Sequence, residues 1–413
     1  MDKKLKRRIY QIALFLVTFV CTTLSGAEWI HGSLFLHVPN PLGWDAFMDG
    51  LQYSVPFLLI LTVHEFGHYL TARHHNVKVS LPYYIPAWLG FTMSLGTMGA
   101  FIRIRQRITS VSQTFDIGIA GPLAGFVVAL MVLFYGFTHL PPKEYVLNIH
   151  PEYTLFGEGY EDIVHSKDTF FLKSDLAKIA PDHAINYERD TVFINQEGDL
   201  GFTLGSSILF DYMKQHWVPE EHLDRLPNAN EIMHYPILLA GFFALMFTAL
   251  NLLPIGQLDG GHVIFGMFGA KKHALVSKGF YLIAIFYSGL GVGFLGFVNP
   301  FVFNRPILDS IIDLLLYIGI IYYLLQHVFS KRQTQLMSAL VIYVVQLAIL
   351  FIFPHVTGYS GWFLFVLIVG RFLRVQHPTT IDNEPINMER QILGWLAIII
   401  FIISFSLKPI IIG

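Results

Sequence analysis

His64-Glu65-Phe66-Gly67-His68 stands out in this chain because its residue types and spacing suggest a reaction. Histidines at i and i+4 project from one face of a helix, close enough for both imidazoles to hold a single zinc ion. The glutamate between them would take a proton from a metal-activated water, so the pattern points to hydrolysis. Chance alone places such a pattern in roughly 2 to 3% of chains of this composition, so the rest of the sequence has to support the reading. The setting is unusual: the pentapeptide ends an apolar stretch, Tyr53 to Val63, inside a candidate membrane span.

A catalytic zinc ordinarily keeps three protein ligands and one open position. The segment from Asn251 to His262, NLLPIGQLDGGH, supplies a candidate third ligand, Asp259, just beyond another apolar run at 234–253. A carboxylate at membrane depth needs a cation, a partner or water. Pro254 and the glycines interrupt helical regularity there, which a membrane tolerates where the backbone is buried in protein or lines a cavity.

These residues need elements to position them, and composition says what kind. The chain of 413 residues is 54% hydrophobic and 14% charged, with 37 Phe and a mean hydropathy of +0.54, which excludes an ordinary soluble domain. The expected fold is an α-helical polytopic membrane protein with about nine transmembrane helices, a membrane-associated β-hairpin and a small extracytoplasmic domain. The spans fall near 9–27, 48–70, 113–139, 234–253, 276–298, 306–328, 335–353, 359–374 and 392–410. Of these, 359–374 is short, and the region after 253 is where a span breaks and restarts. Cys21 is the single cysteine, so no intramolecular disulfide is available.

Lys and Arg in short loops mark the cytoplasmic side. With the N-terminal MDKKLKRR inside, nine alternating spans place 18 of the 27 Lys and Arg on that side. The first span is longer than a signal-peptide core and reads as a retained anchor. The expected location is a bacterial inner (plasma) membrane, with the N-terminus and the active site toward the cytoplasm. The segment 141–235 differs from its surroundings, with 17 acids against 7 Lys and Arg, and reads as a domain on the opposite side. It carries strand-like pieces at 169–172 and 191–194 and a helix at 206–217. The resulting organisation is an anchor helix at 1–43, a catalytic core at 44–140, the acidic domain at 141–235, the rest of the core at 236–275 and C-terminal spans at 276–413.

HEFGH together with NLLPIGQLDGG resembles the site-2 protease family of intramembrane zinc metalloproteases, peptidase family M50. The resemblance extends to Gly96-Thr97-Met98-Gly99-Ala100-Phe101-Ile102-Arg103-Ile104, similar to the family's β element, and to Gly118-Ile119-Ala120-Gly121-Pro122-Leu123-Ala124-Gly125, similar to its glycine-rich third core helix. It implies one zinc per chain held by His64, His68 and Asp259, Glu65 as catalytic acid/base, and Asn251 as a helper to substrate or oxyanion. It also implies transmembrane protein substrates met within the lipid bilayer. No nucleic-acid signature is visible, and the oligomeric state is open.

A helical substrate must unwind before a carbonyl is exposed, at several kcal/mol per unsatisfied group in lipid. Val77–Leu81 and Ala100–Ile104 alternate as strands do, and their edge would either hold an unwound substrate or serve as a structural hairpin. Gly118, Gly121 and Gly125 read as packing residues. His74 and His75 read as solvated, and His262 as packing or as a support to the ligands. A metal or proton transporter built from the same polar residues, or a catalytically silent homologue acting as a membrane binding protein, are the competing classes. Convergence on a single site, with no expected site residue missing, favours the enzyme.

Overall fold

The computed structural model describes residues 2–37, 41–150, 153–154, 170–172, 191–193, 202–291, 307–373 and 384–412. In chain order its elements are α1 (Lys3–His31), α2 (Trp44–His74), β1 (Tyr83–Ala87), β2 (Gly96–Phe101), α3 (Val111–Thr138), α4 (Glu144–Ile149), β3 (Phe170–Leu172), β4 (Thr191–Phe193), β5 (Phe202–Leu204), α5 (Ile208–His216), α6 (Pro236–Asn251), α7 (Asp259–Gly291), α8 (Ile307–Leu325), α9 (Arg332–Ile352), α10 (Gly361–Ile368), α11 (Met388–Ser404) and β6 (Ile410–Ile412). Five of them, α1, α2, α3, α7 and α9, are long and apolar enough to cross a membrane. Each of the other expected spans also carries a helix, although α6 has 16 residues and α11 has 17. The short span at 359–374 is α10 continued by a π-helical turn at Val369–Leu373.

The break expected after 253 is followed by a helix of its own. Gly269, with a φ of 75° and a ψ of 174°, is non-helical and divides α7 into two helices, so DGGH forms the first turn of 259–268 and the span expected from 276 follows the kink, while the last span ends at Ser404 with Ile410 in β6. The break before Asp259 is short and tied down. Pro254 ends the preceding helical run, Gly256 turns the chain at a φ of 58°, and the Gly256 N–H donates to Ser277 Oγ at 2.8 Å. Residues 292–298 of the span expected from 276 lie outside the described residues.

Packing follows the apolar faces. Tyr53 and Phe57 of α2 join Leu133 of α3 and Phe243 of α6 in one buried cluster, and Tyr281, Ile285, Tyr317 and Ile321 join α7 to α8 in another. Lipid is as apolar as these side chains, so close van der Waals contact rather than water exclusion holds the helices together.

β1 and β2 pair antiparallel from Tyr83↔Phe101 to Ala87↔Gly96, with an irregularity between Tyr84 and Pro86. Strands expected at 77–81 and 100–104 meet there only as a bridge, Val79↔Ile104, and regular pairing starts beyond Pro82. Pro86 enters a strand because the irregularity removes the need for its missing N–H. The hairpin lies along α1: Gln11 Nε2 donates to Leu81 O at 2.7 Å, and Trp29 Nε1 donates to Ser94 O at 2.7 Å. From Gln11 to Trp29 an α-helix rises about 27 Å, so the hairpin accompanies α1 through most of a bilayer's apolar thickness.

Asp116 of α3 fastens α11 in place. Arg390 Nε and Nη2 donate to its two carboxylate oxygens at 2.7 and 2.8 Å, and His75 Nε2 sits 2.8 Å from Oδ2. His75 is therefore half-buried and bonded rather than solvated as expected, whereas His74 is exposed. Asp116→Ala leaves both partners unmatched and should cost about 1.5–3 kcal/mol. Thermal unfolding in detergent checks this, and an unchanged midpoint would show that the cluster does not hold α11.

The acidic segment meets the far end of the chain. β3 pairs with β4, as the strand-like pieces suggest, and β5 pairs with β6 from Phe202↔Ile412 to Leu204↔Ile410. The helix expected at 206–217 is α5, capped by Ser207 Oγ, which accepts from Phe210 N.

Candidate metal centre

Three helices bring the expected residues to one point. α2 presents His64 and His68 one turn apart, with ring centroids 4.8 Å from each other. Asp259 arrives as the first residue of α7, and Asn251 as the last of α6. The two Nε2 atoms are 3.1 Å apart, and Asp259 Oδ2 stands 3.4 Å from that of His64 and 3.2 Å from that of His68. Ligand atoms at 2.0–2.2 Å from a tetrahedral zinc lie about 3.3 Å from one another, so this triangle has the size zinc requires. Two imidazoles and a carboxylate are also a donor set that zinc favours.

The surroundings orient the ligands. His68 Nδ1 donates to the Ile117 carbonyl at 2.6 Å, which fixes the tautomer and leaves Nε2 free to face the centre. Asn251 Nδ2 lies 3.4 Å from His64 Nε2, so its amide faces the same point. Glu65 is buried, 4% exposed; its Oε2 has no hydrogen-bond partner among the described residues, and its other neighbours include the Ile102 backbone just past β2.

Glycines let α2 and α3 approach closely enough for this. A Cβ on Gly67 would press on the Ala120 carbonyl, and one on Gly121 would occupy the place of the His68 imidazole. Gly118, Gly121 and Gly125 are packing residues as expected, but what they pack on is His262, His68 and His64. His262 rests its Cβ against Gly118 and is not among the three converging ligands. The Ile117 carbonyl was not foreseen, because a main-chain acceptor leaves no mark on residue type.

Two imidazoles and a carboxylate closing on one point among apolar helices, with a buried glutamate beside them, are the layout of a membrane metallohydrolase. A model of peptidase family M50 matches residues 52–292, and the chain belongs to that family, the site-2 protease family of zinc metalloproteases. The chain is 30% identical over 305 residues to "Probable zinc metalloprotease EGY1, chloroplastic" of Oryza sativa subsp. japonica, covering 70% of this chain and 42% of that protein. To "Probable zinc metalloprotease EGY2, chloroplastic" of Oryza sativa subsp. indica it is 27% identical over 231 residues, 56% of this chain and 31% of the relative. To the EGY1 protein of Arabidopsis thaliana it is 29% identical over 229 residues, 55% and 31%. The chain thus spans less than half the length of these relatives. No solved structure matches it.

Proposed function

We propose that this protein cleaves peptide bonds of transmembrane substrates within the bilayer, in the manner of regulated intramembrane proteolysis. The observation that carries the reading is the convergence of His64, His68 and Asp259 beside the buried carboxylate of Glu65. Zinc, when bound by those three side chains, activates water as a nucleophile at neutral pH and polarises the scissile carbonyl. Glu65 accepts the proton of that water and returns it to the leaving amine, work for which its unpartnered Oε2 is placed. Asn251 donates a hydrogen bond from its Nδ2 to the developing oxyanion. Ile117 holds His68 against rotation while this happens.

The hairpin supports the substrate reading. β2 ends at Phe101, one residue before the backbone that faces Glu65. An unwound substrate laid against that edge as an extra strand keeps its backbone bonded and carries one carbonyl toward the centre.

The proposed topology has nine spans, with the N-terminus and the metal centre on the positively charged side. The β5–β6 pairing supports it, since those strands must share one aqueous compartment and, among the described residues, six apolar helices, α6 to α11, lie between them after the short α5. The relatives are chloroplastic by name, so they lend nothing to a bacterial inner membrane, and the proposal extends only to a lipid bilayer. The five chain divisions expected above are kept as part of the same proposal.

The test is cleavage of a transmembrane peptide by the purified chain in liposomes, with zinc measured by mass spectrometry. Asp259→Ala should lose one zinc equivalent and all cleavage. Unchanged zinc would remove Asp259 from the centre, and cleavage at the wild-type rate would overturn the reading.

A further inference from the structure

A second cluster repeats the geometry of the first far from it. His150, at the end of α4, and Glu231 and His234, just before α6, are 6%, 2% and 4% exposed. Their ligand atoms all lie within 4.8 Å of one another. His150 Nε2 is 3.2 Å from His234 Nε2, which is 3.4 Å from Glu231 Oε2. These two separations are those expected around a tetrahedral zinc, about 3.3 Å, and they fall in the range found among His64, His68 and Asp259. The support is repeated as well: His234 Nδ1 donates to the Ile30 carbonyl at 2.6 Å, as His68 Nδ1 does to Ile117. A backbone carbonyl behind Nδ1 presents the Nε2 lone pair inward, the arrangement a metal ligand needs.

We propose that His150, Glu231 and His234 form a second zinc site, a structural one that clamps the base of the acidic segment to the C-terminal end of α1. Ile30 precedes His31, which pairs with Asp49 at 3.1 Å, so this cluster lies by the start of α2. From Asp49 to His64 an α-helix rises about 22 Å, which separates the two sites across the protein.

Charge and topology favour a metal here. Glu231 brings a carboxylate to two buried imidazoles, a mixed oxygen and nitrogen donor set that a divalent ion takes. His150 and Glu231 stand at the two ends of a loop of about 80 residues, and a clip across so long a loop removes much of the entropy that closing it would otherwise cost. Tyr145 reinforces the same base, its hydroxyl donating to His234 O at 2.8 Å and its ring packing on Tyr235. A His2Glu set of this size suits zinc ahead of the harder cations.

The experiment counts zinc in full-length chain purified in detergent without a polyhistidine tag. Wild type should hold two per chain, Asp259→Ala one, His150→Ala/His234→Ala one, and the three changes together none. X-ray absorption at the zinc edge of the Asp259→Ala chain should show imidazole and carboxylate ligands. Chelation of that chain should lower its thermal midpoint, with no such shift in the triple variant. Zinc-free Asp259→Ala after equilibration with zinc would overturn this inference while leaving the first centre intact. A single zinc that survives Asp259→Ala and vanishes with His150 and His234 would instead overturn the catalytic reading. Should the histidine variants fail to fold, the count in Asp259→Ala decides alone, because that change leaves the second cluster untouched.

Discussion

Glu65→Gln is expected to keep its zinc and to cleave 10²- to 10⁴-fold more slowly, the usual worth of a positioned acid/base group. That loss corresponds to about 2.7–5.4 kcal/mol of transition-state stabilisation. Metal is retained because the three converging ligand atoms belong to His64, His68 and Asp259, and the amide is the same size as the carboxylate it replaces. What disappears is the ability to accept a proton. Glu65 is 4% exposed and its Oε2 has no hydrogen-bond partner among the described residues, so no other group described beside it takes over that role. The measurement is a single-turnover cleavage rate beside a zinc count, and a wild-type rate with full zinc would sink Glu65 as the acid/base.

Gly121→Ala should be nearly as damaging although it touches no reacting group. The added methyl falls on the His68 imidazole, at Nε2, Cδ2 and Cε1, the edge that faces His64 and Asp259. Either the ring rotates away from Ile117 and out of the centre, or α3 backs off α2. Misplacing a catalytic group by about 1 Å costs on the order of 10²-fold in rate, and overpacking a tight helix contact costs about 1–3 kcal/mol of stability. The diagnostic result is a joint fall in zinc occupancy and cleavage with the circular dichroism of a folded chain. Retention of both would mean that α3 moves without disturbing the site.

How far these features were legible in the residues follows from the range of the signals. His64 and His68 announce themselves because helical spacing is local and the apolar run before them makes the helix plain. Asp259 was legible for another reason, since a carboxylate after an apolar run needs an explanation wherever it sits. The start of α7 at Asp259 was missed because two glycines and a nearby proline read as a loop, and only the packed turn with its Gly256–Ser277 bond shows otherwise. The hairpin was foreseen as a hairpin, but its register was not, since alternation marks strands at Val77–Leu81 whether or not they have a partner. Gly121 was read for its size alone; what stands opposite a small residue is a property of another helix. His150, Glu231 and His234 left no trace, because in a polar segment their types are common and roughly 80 residues part the first from the others. Main-chain acceptors such as Ile30 and Ile117 are invisible to any reading of side-chain type.

The pairing of β5 with β6 sets an order on biosynthesis. Leu204 leaves the ribosome about 200 residues before Ile410, and at 5–20 residues per second that interval is about 10–40 s. Throughout it, β5 has an open edge in the compartment that receives the acidic segment, where an unpaired strand invites association with other chains. The sheet closes only after α11 has been made. Synthesis of β6 and closure of this face of the protein are thus one event, and a chain halted before β6 would carry the converging His64, His68 and Asp259 with β5 still unpaired.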